Sequence, residues 1–314
     1  MFSGGYTDAE QEEFPVMKIY NLGSLNIDYV YSVPHFVQPG ETLSSTRLQL
    51  FPGGKGLNQS VALARAGAQV VHGGCIGESG AFLKEILHSA GADVTWVRTG
   101  PEQTGHAIIQ VDASGQNCIL LFPGANHTFT PEFVDQILSG AQAGDILLLQ
   151  NEINCLSYIF EAAHRRGMQI AFNPSPFRQE LLELPLQYVS WWLCNEIEGA
   201  QLTGKQEPEQ ILDAMAERFP TSHIVLTLGK DGCLYRSWTG SCFQPIFPVT
   251  AVDTTAAGDT FTGFFLGLIM QGRSCAEALR YACAAAALAV TKPGAAPAIP
   301  NMAEVEAFLQ SRAE

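Results

Sequence analysis

The strongest chemical signal in this chain is a run of small residues between two acids, Asp253–Phe261, with the sequence DTTAAGDTF. It leads directly into an apolar run with helical spacing. The small residues Ala256–Gly258 would let a ligand approach the backbone, and the unpaired N–H groups at a helix start bind phosphate without Lys or Arg. Asp259 would then be placed to accept a proton, although a simple N-cap role is an equally open interpretation.

Two further clusters carry polar side chains that could bind hydroxyl groups. The first, Gly23–Asp28 (GSLNID), closes the first predicted strand, and Asn26 and Asp28 would point the same way from an extended chain. Together they offer a donor and an acceptor to vicinal hydroxyls; an Asx-type turn that ends the strand is the alternative. The second is Glu152 at the end of a buried strand, where the carboxylate would either accept from a ligand or lie at the start of the following helix.

A glycine-rich loop, Pro52–Gln59 (PGGKGLNQ), opens a predicted helix. Its glycines, among them Gly54 and Gly56, permit close approach of the backbone to a ligand. Lys55 supplies a cation, and Asn58 supplies an amide for further hydroxyls. A plain loop-to-helix transition is the alternative, but three glycines around one lysine are conformationally costly for that purpose alone.

Two strand ends could form part of a nucleotide site. Asn195–Glu198 (NEIE) and Thr227–Gly232 (TLGKDG) each follow a predicted strand. Such turns suit the rim of a phosphate or adenine site, although many surface turns have the same pattern. No Gly-Lys pair is followed by Ser or Thr as in a Walker A loop, no GxGxxG follows the first strand, and HExxH, GxSxG, HRD and DFG do not occur in the sequence.

Strand-like apolar runs alternate with helical segments along most of the chain. The pattern predicts strands at 18–23, 69–76, 145–150, 168–173, 191–194 and 223–228, and helices at 57–66, 81–90, 156–166, 260–271 and 276–290. This alternation predicts a doubly wound α/β fold, in which a mostly parallel sheet carries helices on both faces.

Two segments, 42–51 and 105–122, break this alternation because they read as alternating strands with no helix between them. Asp112–Gly115 is typical of a hairpin turn. We therefore expect a small antiparallel β-sheet, with strands from about 29–51 and 104–122, that covers the ligand cleft as a lid. Its exposed face would suit contact between two copies of the chain, which predicts a homodimer.

Length and charge limit the function classes. The chain has 314 residues, enough for one large α/β domain or two. Its formal net charge of −14, with 17 Lys and Arg residues, argues against nucleic acid or an anionic membrane as a partner. Eight cysteines without a CxxC motif predict reduced thiols in a cytoplasmic protein. Residues 1–16 lack the pattern of a signal peptide or anchor, and we expect them to be a disordered extension ahead of one domain over 17–314.

Together, these motifs resemble one family. GSLNID, GGKGLNQ, LFPGAN (121–126), NEIE, TLGKDG and VDTTAAGDTF occur in the order and approximate spacing of the ribokinase-type (PfkB) carbohydrate kinases, over about residues 17–312. The resemblance implies a kinase with ATP as co-substrate and Mg²⁺ as cofactor. The GSxNxD, GGKGxNQ and PGAN forms are most similar to members that phosphorylate D-ribose at its 5-hydroxyl.

The resemblance also implies a role for each motif residue. Asp259 resembles the base that takes the proton from the sugar hydroxyl, and Ala256, Ala257 and Gly258 resemble the anion hole for the transferred phosphoryl group. The residues similar to the sugar-binding set are Asn26, Asp28, Gly54, Lys55, Gly56, Asn58, Glu152 and Asp259. Those similar to the nucleotide-binding set are Asn195, Glu198, Thr227, Leu228, Gly229, Lys230, Asp231, Gly232, Gly258, Asp259 and Cys283.

Two cation sites follow from the same resemblance. Glu198 resembles the residue that organises Mg²⁺ through water. The positions where family members bind an activating monovalent cation, usually K⁺, are Asp253, Thr255, Ala289, Lys292, Gly294 and Ala298. Two positions depart from the family: Ala298 stands where a Ser is often found, and Cys283 stands where a polar residue often lies beside the adenine.

Two alternatives stay open at the level of sequence. The first is a family member that phosphorylates deoxyribose, fructose or a nucleoside, because the sequence does not measure the room under the lid. The second is a non-catalytic sensor of sugar or nucleotide on the same fold. The intact stretch Ala256–Asp259 disfavours a sensor, since degenerate binders are expected to lose the base or the small-residue turn.

Overall fold

The computed structural model describes residues 17–312. Residues 1–16, for which the sequence predicts a disordered extension, lie outside the described part, so that prediction stays a prediction. All eight cysteines lie within the described part and carry free thiols. No helix within these residues combines the length and apolarity that a membrane span requires.

The strands and helices follow the predicted alternation, with several additions. The strands are β1 (Ile19–Leu22), β2 (Asn26–Ser32), β3 (Arg47–Gly53), β4 (Val70–Ile76), β5 (Asp93–Thr99), β6 (Gly105–Val111), β7 (Asn117–Phe122), β8 (Ile146–Gln150), β9 (Gln169–Asn173), β10 (Val189–Asn195), β11 (His223–Thr227), β12 (Cys233–Ser237) and β13 (Gly240–Gln244). The α-helices are α1 (Lys55–Arg65), α2 (Ala81–Ala90), α3 (Pro131–Ile137), α4 (Leu156–Arg165), α5 (Glu196–Thr203), α6 (Pro208–Arg218), α7 (Ala257–Met270), α8 (Cys275–Ala289) and α9 (Met302–Gln310).

The central sheet has the strand order β13-β12-β11-β10-β9-β8-β1-β4-β5. In this order, the seven strands from β11 across to β5 are parallel to one another. β12 pairs antiparallel with β11, and β13 pairs antiparallel with β12 at one edge of the sheet. Every residue of β1, β4 and β8 is buried because helices cover both faces. One hydrophobic core packs against α1, α7 and α8, and another packs against α4 and α6 on the opposite face. The predicted doubly wound α/β fold is confirmed.

A second, smaller sheet has the order β3-β2-β6-β7. Its outer pairs are antiparallel, as expected for the lid, and the predicted Asp112–Gly115 turn joins β6 to β7. The central β2–β6 pair is parallel. β2 follows β1 and β6 follows β5, so both strands start from the carboxyl ends of parallel strands in the central sheet. Residues 26–28, which the sequence analysis placed at the end of the first strand, instead begin β2.

Small residues let α1 lie between the β1–β2 connection and α7. A Cβ on Gly56 would lie 2.6 Å from the Cα of Gly23, closer than non-bonded carbon atoms can approach. On the other side of α1, a Cβ on Gly263 of α7 would overlap the Cβ of Ala62 and lie 2.8 Å from the backbone nitrogen of Leu63. These contacts hold α1 close to both the β1–β2 connection and α7.

We expect Gly263→Ala to lower the free energy of unfolding by about 1–3 kcal/mol, because the added methyl group would overpack the α1–α7 contact. The opposing gain in helix propensity is smaller, at most about 1 kcal/mol. Urea unfolding measures the difference. Gly100→Ala is the control, since a Cβ there meets no atom of the described residues within 4 Å. A Gly263→Ala protein more stable than the wild type would contradict the close packing of these helices.

Candidate active site

Helix α7 begins with a backbone conformation that is uncommon for a residue with a Cβ. Its N-cap, Ala256, has a φ of 59° in the left-handed region. Asp259 is the third residue of the helix, so the interpretation of this acid as the N-cap is wrong. Ala257 and Gly258 lie where helix geometry leaves N–H groups without an intrahelical acceptor. A Cβ on Gly258 would meet no atom of residues 17–312 within 4 Å, so a ligand can approach its backbone.

Two amides of α1 hold the carboxylate of Asp259. Its Oδ2 accepts a hydrogen bond from Asn58 Nδ2 at 2.9 Å, and its Oδ1 accepts one from Gln59 Nε2 at 2.9 Å. Only 7% of Asp259 is exposed. Each carboxylate oxygen can accept a second hydrogen bond, so the group can still receive a proton from a bound hydroxyl.

The glycine-rich loop gives α1 its starting direction. Gly54 is the N-cap of α1 and has a φ of 94°, a conformation that favours glycine. A Cβ at Gly54 would also lie 2.8 Å from the carbonyl oxygen of Ser24. The loop therefore opens a helix, as predicted, with Lys55 as its first residue and Asn58 on the face toward α7.

Lys55 and Glu152 form an ionic centre beside Asp259. Glu152 Oε2 accepts a hydrogen bond from the Lys55 backbone N–H at 3.0 Å and another from the Ser24 hydroxyl. Burial alone would lower the pKa of the Lys55 ammonium, but the carboxylates of Asp259 and Glu152 raise it above its ordinary value. Burial raises the pKa of Glu152, and the Lys55 charge opposes that shift. Glu152 thus supports the start of α1; the N-cap of α4 is Cys155.

Asn26 and Asp28 lie two residues apart in β2, so they share one side of the strand and do not form an Asx turn. Asn26 is buried, and its Oδ1 accepts a hydrogen bond from Asn126 Nδ2 at 2.7 Å. The carboxyl group of Asp28 lies over Gly53, where any side chain would overlap it. Burial, with a further contribution from the charge of Glu152, raises the pKa of Asp28 to about 7.

A cavity of about 250 Å³ opens between the carboxyl ends of β9, β10 and β11 and the start of α7. Ligands of α/β proteins commonly bind at this edge of the sheet. The lining consists of Lys55, Asn173, Ser175, Leu193, Cys194, Asn195, Glu198, Val225, Thr227, Thr254, Ala256, Ala257, Gly258, Asp259, Phe261 and Thr262. Lys55 and Asp259 therefore belong both to this cavity and to the polar set at the start of α1.

Part of the predicted nucleotide set lines this cavity. Asn195 and Glu198 begin α5 with a capping box, in which Asn195 Oδ1 accepts from the Glu198 N–H at 2.8 Å and Glu198 Oε2 accepts from the Asn195 N–H at 3.1 Å. Thr227 lies on the same wall. The turn Leu228–Gly232 and Cys283 of α8 lie outside the lining; the Cys283 thiol is buried among protein atoms.

The residues predicted for a monovalent cation come from two loops that meet at Asp253. Its Oδ1 accepts from the Thr255 N–H and its Oδ2 from the Gly294 N–H, both at 2.9 Å. Burial alone would raise the pKa of Asp253, but hydrogen bonding by the Thr255 side chain and by the Thr255 and Gly294 N–H groups holds it below its ordinary value. The side chain of Lys292 turns away to pair with Glu304 at 3.0 Å, so only its backbone could serve a cation.

The two remaining residues predicted for the cation site, Ala289 and Ala298, are buried alanines. The carbonyl of Ala289 accepts from the Lys292 N–H at 3.2 Å, and Ala298 lies in the short turn Ala296–Ala298. Within the described part of the chain, no group of three or more His, Cys, Asp or Glu side chains is arranged to hold a metal ion. Among the six residues, Asp253 offers a carboxylate and Thr255 a hydroxyl, and the others offer only backbone carbonyls.

Three polar residues of this site had no role predicted from the sequence. Gln59 donates to Asp259, Asn173 Oδ1 accepts from Gln59 Nε2 at 3.2 Å, and Gln150 Nε2 donates to Gln59 Oε1 at 2.7 Å. One feature of the sequence could have indicated them. Gln150 and Asn173 end predicted buried strands and Gln59 lies in a predicted helix, and polar side chains at buried positions need hydrogen-bond partners.

Comparison with known proteins identifies the family. Residues 17–302 match the pfkB family carbohydrate kinases. A ribokinase of Haemophilus influenzae is 39% identical over 298 residues, which cover 92% of this chain and 97% of the relative. A solved ribokinase structure from Thermotoga maritima is 37% identical with a TM-score of 0.82, and an Arabidopsis thaliana ribokinase complexed with ribose and ATP is 30% identical with a TM-score of 0.83. Each of these two alignments covers 94% of this chain and 99% of the other. The resemblance seen in the motifs is thus confirmed, and the chain belongs to the pfkB family of carbohydrate kinases.

Proposed function

We propose that this kinase transfers the γ-phosphoryl group of ATP to the 5-hydroxyl of D-ribose. The observation that carries the proposal is the position of Asp259. Its buried carboxylate lines the cavity of about 250 Å³ and also contacts Asn58 of the sugar set, so one group faces both substrates. The similarity to ribokinases, one of them solved with ribose and ATP, supports this choice of substrates.

The polar set at the start of α1 suits a ligand with vicinal hydroxyls. Asn58 Oδ1 is buried and has no hydrogen-bond partner among residues 17–312. An incoming O–H would satisfy this oxygen, which is costly to leave unpaired. Asp28 and Glu152 add acceptors, and Asn26 adds an amide. Gly54 is half-buried beside them, whereas Gly56 is buried against the backbone at Gly23 and so packs against protein and not against a ligand.

In the proposed reaction, Asp259 takes the proton from the 5-hydroxyl as the hydroxyl oxygen attacks the γ-phosphorus. A new O–P bond forms, the bond from the γ-phosphorus to its bridging oxygen breaks, and ADP leaves with the electron pair of that bond. The N–H groups of Ala257 and Gly258 and the ammonium of Lys55 stabilise the charge on the transferred group. Ala256, through its left-handed backbone, turns the chain into α7. The Ala257 N–H donates to the Thr254 carbonyl at 3.3 Å and would exchange that partner for a phosphoryl oxygen.

The cavity wall suits a nucleotide with its divalent cation. Glu198 is 7% exposed and lines the cavity, where its carboxylate would hold Mg²⁺ through water. Bound Mg²⁺ would neutralise charge on the β- and γ-phosphates. Asn195 and Thr227 would contact the nucleotide. The loop at Asp253 offers oxygens to K⁺, and a cation there would rigidify the chain that leads into Ala256 and α7.

We expect Asp259→Asn to lower kcat by a factor on the order of 10³ or more, because the base and its charge are both lost. Sugar binding should stay nearly intact, because the substituted side chain keeps the shape of the original. A coupled assay of ADP release measures turnover, and titration calorimetry measures ribose affinity. Asp213→Asn is the matched control, since this exposed acid pairs with Arg236, neither residue lines the cavity, and kcat should stay unchanged.

The same assay tests the substrate when ribose, deoxyribose, fructose and a nucleoside are compared. Ribose should have the highest kcat/KM of the panel, and its turnover should be lost in Asp259→Asn. Near-normal turnover by Asp259→Asn would contradict the assignment of Asp259 as the base. A higher kcat/KM for another member of the panel would assign the kinase to that substrate.

The raised pKa of Asp28 predicts that ribose binding weakens below pH 7. In the free protein the carboxyl group is mostly protonated below about pH 7, and only the ionised form accepts hydroxyl hydrogen bonds with both oxygens. KM for ribose should therefore rise by up to about tenfold per pH unit below 7 and become constant above it. Steady-state assays at saturating ATP measure this dependence. Asp28→Asn should show a high KM that does not vary with pH, whereas a constant wild-type KM from acid to neutral pH would contradict the role.

The same shift has a defined effect on stability. The folded protein holds the Asp28 proton more tightly than the unfolded chain, whose ordinary pKa is 3.8. Stability from this group is therefore present at low pH and is lost as pH rises from about 4 to 7. Bound ribose, which requires the ionised form, should offset that loss.

We further propose a homodimer formed through the smaller sheet. Every residue of β7 is exposed, with Ile119 57% and Leu120 67% accessible, and Leu50 of β3 adds a further exposed apolar side chain. An apolar strand at the edge of a sheet is a favourable surface for pairing with a second copy. Leu120→Glu should shift the protein from dimer to monomer in analytical ultracentrifugation. Trp238→Gln, which removes an exposed aromatic residue after β12, should leave the dimer intact; a monomeric wild type would contradict the proposal.

A further inference from the structure

A line of buried amides leads to the carboxylate of Asp259. Gln150 Nε2 at the end of β8 donates to Gln59 Oε1 at 2.7 Å, and Gln59 Nε2 in turn donates to Asp259 Oδ1 at 2.9 Å. The second hydrogen of Gln59 Nε2 is directed to Asn173 Oδ1 at 3.2 Å. Gln150 Nε2 also donates to Asn21 Oδ1 at 3.0 Å. Gln59 and Gln150 are both buried.

These contacts allow only one orientation of the Gln59 amide. Both N–H groups of its Nε2 donate to a carboxylate or amide oxygen, and its Oε1 accepts one hydrogen bond. A flipped amide would place its oxygen against the Asp259 carboxylate and its hydrogens against the NH₂ group of Gln150. Both contacts would be repulsive and would leave buried polar groups unpaired.

Asn58 differs from Gln59 in this respect. Its Nδ2 donates to Asp259 Oδ2, but its Oδ1 has no partner within the described residues. Asp259 itself is therefore the protein group that orients Asn58. Of the described side chains that donate to this carboxylate, Gln59 is the one that can transmit a fixed orientation from the central sheet.

We propose that Gln59, held in orientation by Gln150, is the positioning residue that fixes the carboxylate of Asp259 for proton transfer. The proposal rests on the proposed function, since it assumes that Asp259 is the base. Gln59 does not line the cavity of about 250 Å³, so it acts through Asp259 and not by contact with the nucleotide. General-base catalysis needs the acceptor atom within hydrogen-bond reach of the proton, and small displacements of a catalytic group reduce the rate strongly.

Charged groups from several elements act on Asp259. Lys55 at the start of α1 attracts it, and the carboxylate of Glu152 before α4 repels it. Glu198 of α5 lines the same cavity. Gln59 is a neutral donor among these charges, so a carboxylate in its place would add a negative group directly against Asp259.

Two variants test the proposal. Gln59→Leu removes the donor and should lower kcat by about 10–100-fold with KM for ribose within about threefold, because geometry is lost at the base and not at the sugar set. Gln59→Glu places a second carboxylate against Asp259 and should move the acid limb of the kcat–pH profile upward by about one unit or more. A residue that does not contact the base in the working enzyme would not move that limb, and the loss of kcat in Gln59→Leu at nearly constant KM then separates positioning from mere contact.

A matched control lies next in the helix. Ser60 is buried, accepts from Asn21 Nδ2 at 2.8 Å and pairs with His72 Nδ1 at 2.8 Å, but its hydroxyl does not contact Asp259. Ser60→Ala should therefore lower the urea midpoint while kcat stays within about twofold. Gln150→Met should reduce kcat less than Gln59→Leu does. Added to Gln59→Leu, it should cause no further loss, because both act through one contact.

The outcomes separate this proposal from the proposed function. If Asp259→Asn is inactive while folded Gln59→Leu keeps wild-type kcat and Gln59→Glu keeps the wild-type pH profile, the positioning role is wrong and the base assignment stands. If Asp259→Asn is itself active, the proposed function fails first. If Gln59→Leu does not fold, the pH limb of Gln59→Glu decides, and an unmoved limb overturns the proposal.

Discussion

The site depends on the close approach of α1 to both the β1–β2 connection and α7. Gly56 allows α1 to contact the backbone at Gly23, and Gly263 allows α7 to contact α1 at Ala62. A methyl group at either glycine would separate these elements. The separation would move the amides of α1 away from the carboxylate on α7, although Gln59 and Asp259 are 200 positions apart in the sequence. Packing of small residues thus sets distances on which hydrogen bonds of 2.9 Å depend.

Charge imposes a second constraint. The chain carries a net charge of −14, and the site itself brings several carboxylates together, so an anionic nucleotide cannot be attracted by the protein as a whole. In the proposed function, favourable interactions would therefore be local, from the ammonium of Lys55 and from the N–H groups at the start of α7. The raised pKa of Asp28 reflects the same crowding, because burial and Glu152 both disfavour its charge. A bound sugar and Mg²⁺ would relieve part of that repulsion.

Local features of the fold could be predicted from the sequence, whereas long-range features were predicted poorly. The Asp112–Gly115 turn and the opening of α1 at the glycine-rich loop were predicted because turn and helix-start chemistry depends on adjacent residues. The parallel pairing of β2 with β6 was not, since register between strands about 80 residues apart depends on the whole topology. Asn58 and Asp259 could be recognised from their motifs. Gln59 stood in the same motif, yet its role required the position of Gln150, which no local pattern gives.

The site combines amides that are fixed with amides that are free. Gln59 has all its partners before any ligand binds, whereas Asn58 keeps an unpaired oxygen. A site composed only of satisfied groups would hold its geometry but would gain little from binding a hydroxyl. A site composed only of unsatisfied groups would bind well but would be costly to bury and free to reorient. In the proposed reaction, adjacent residues of α1 would divide these tasks, so that the orientation of Asp259 would be independent of the sugar while the sugar would still gain a hydrogen bond on entry.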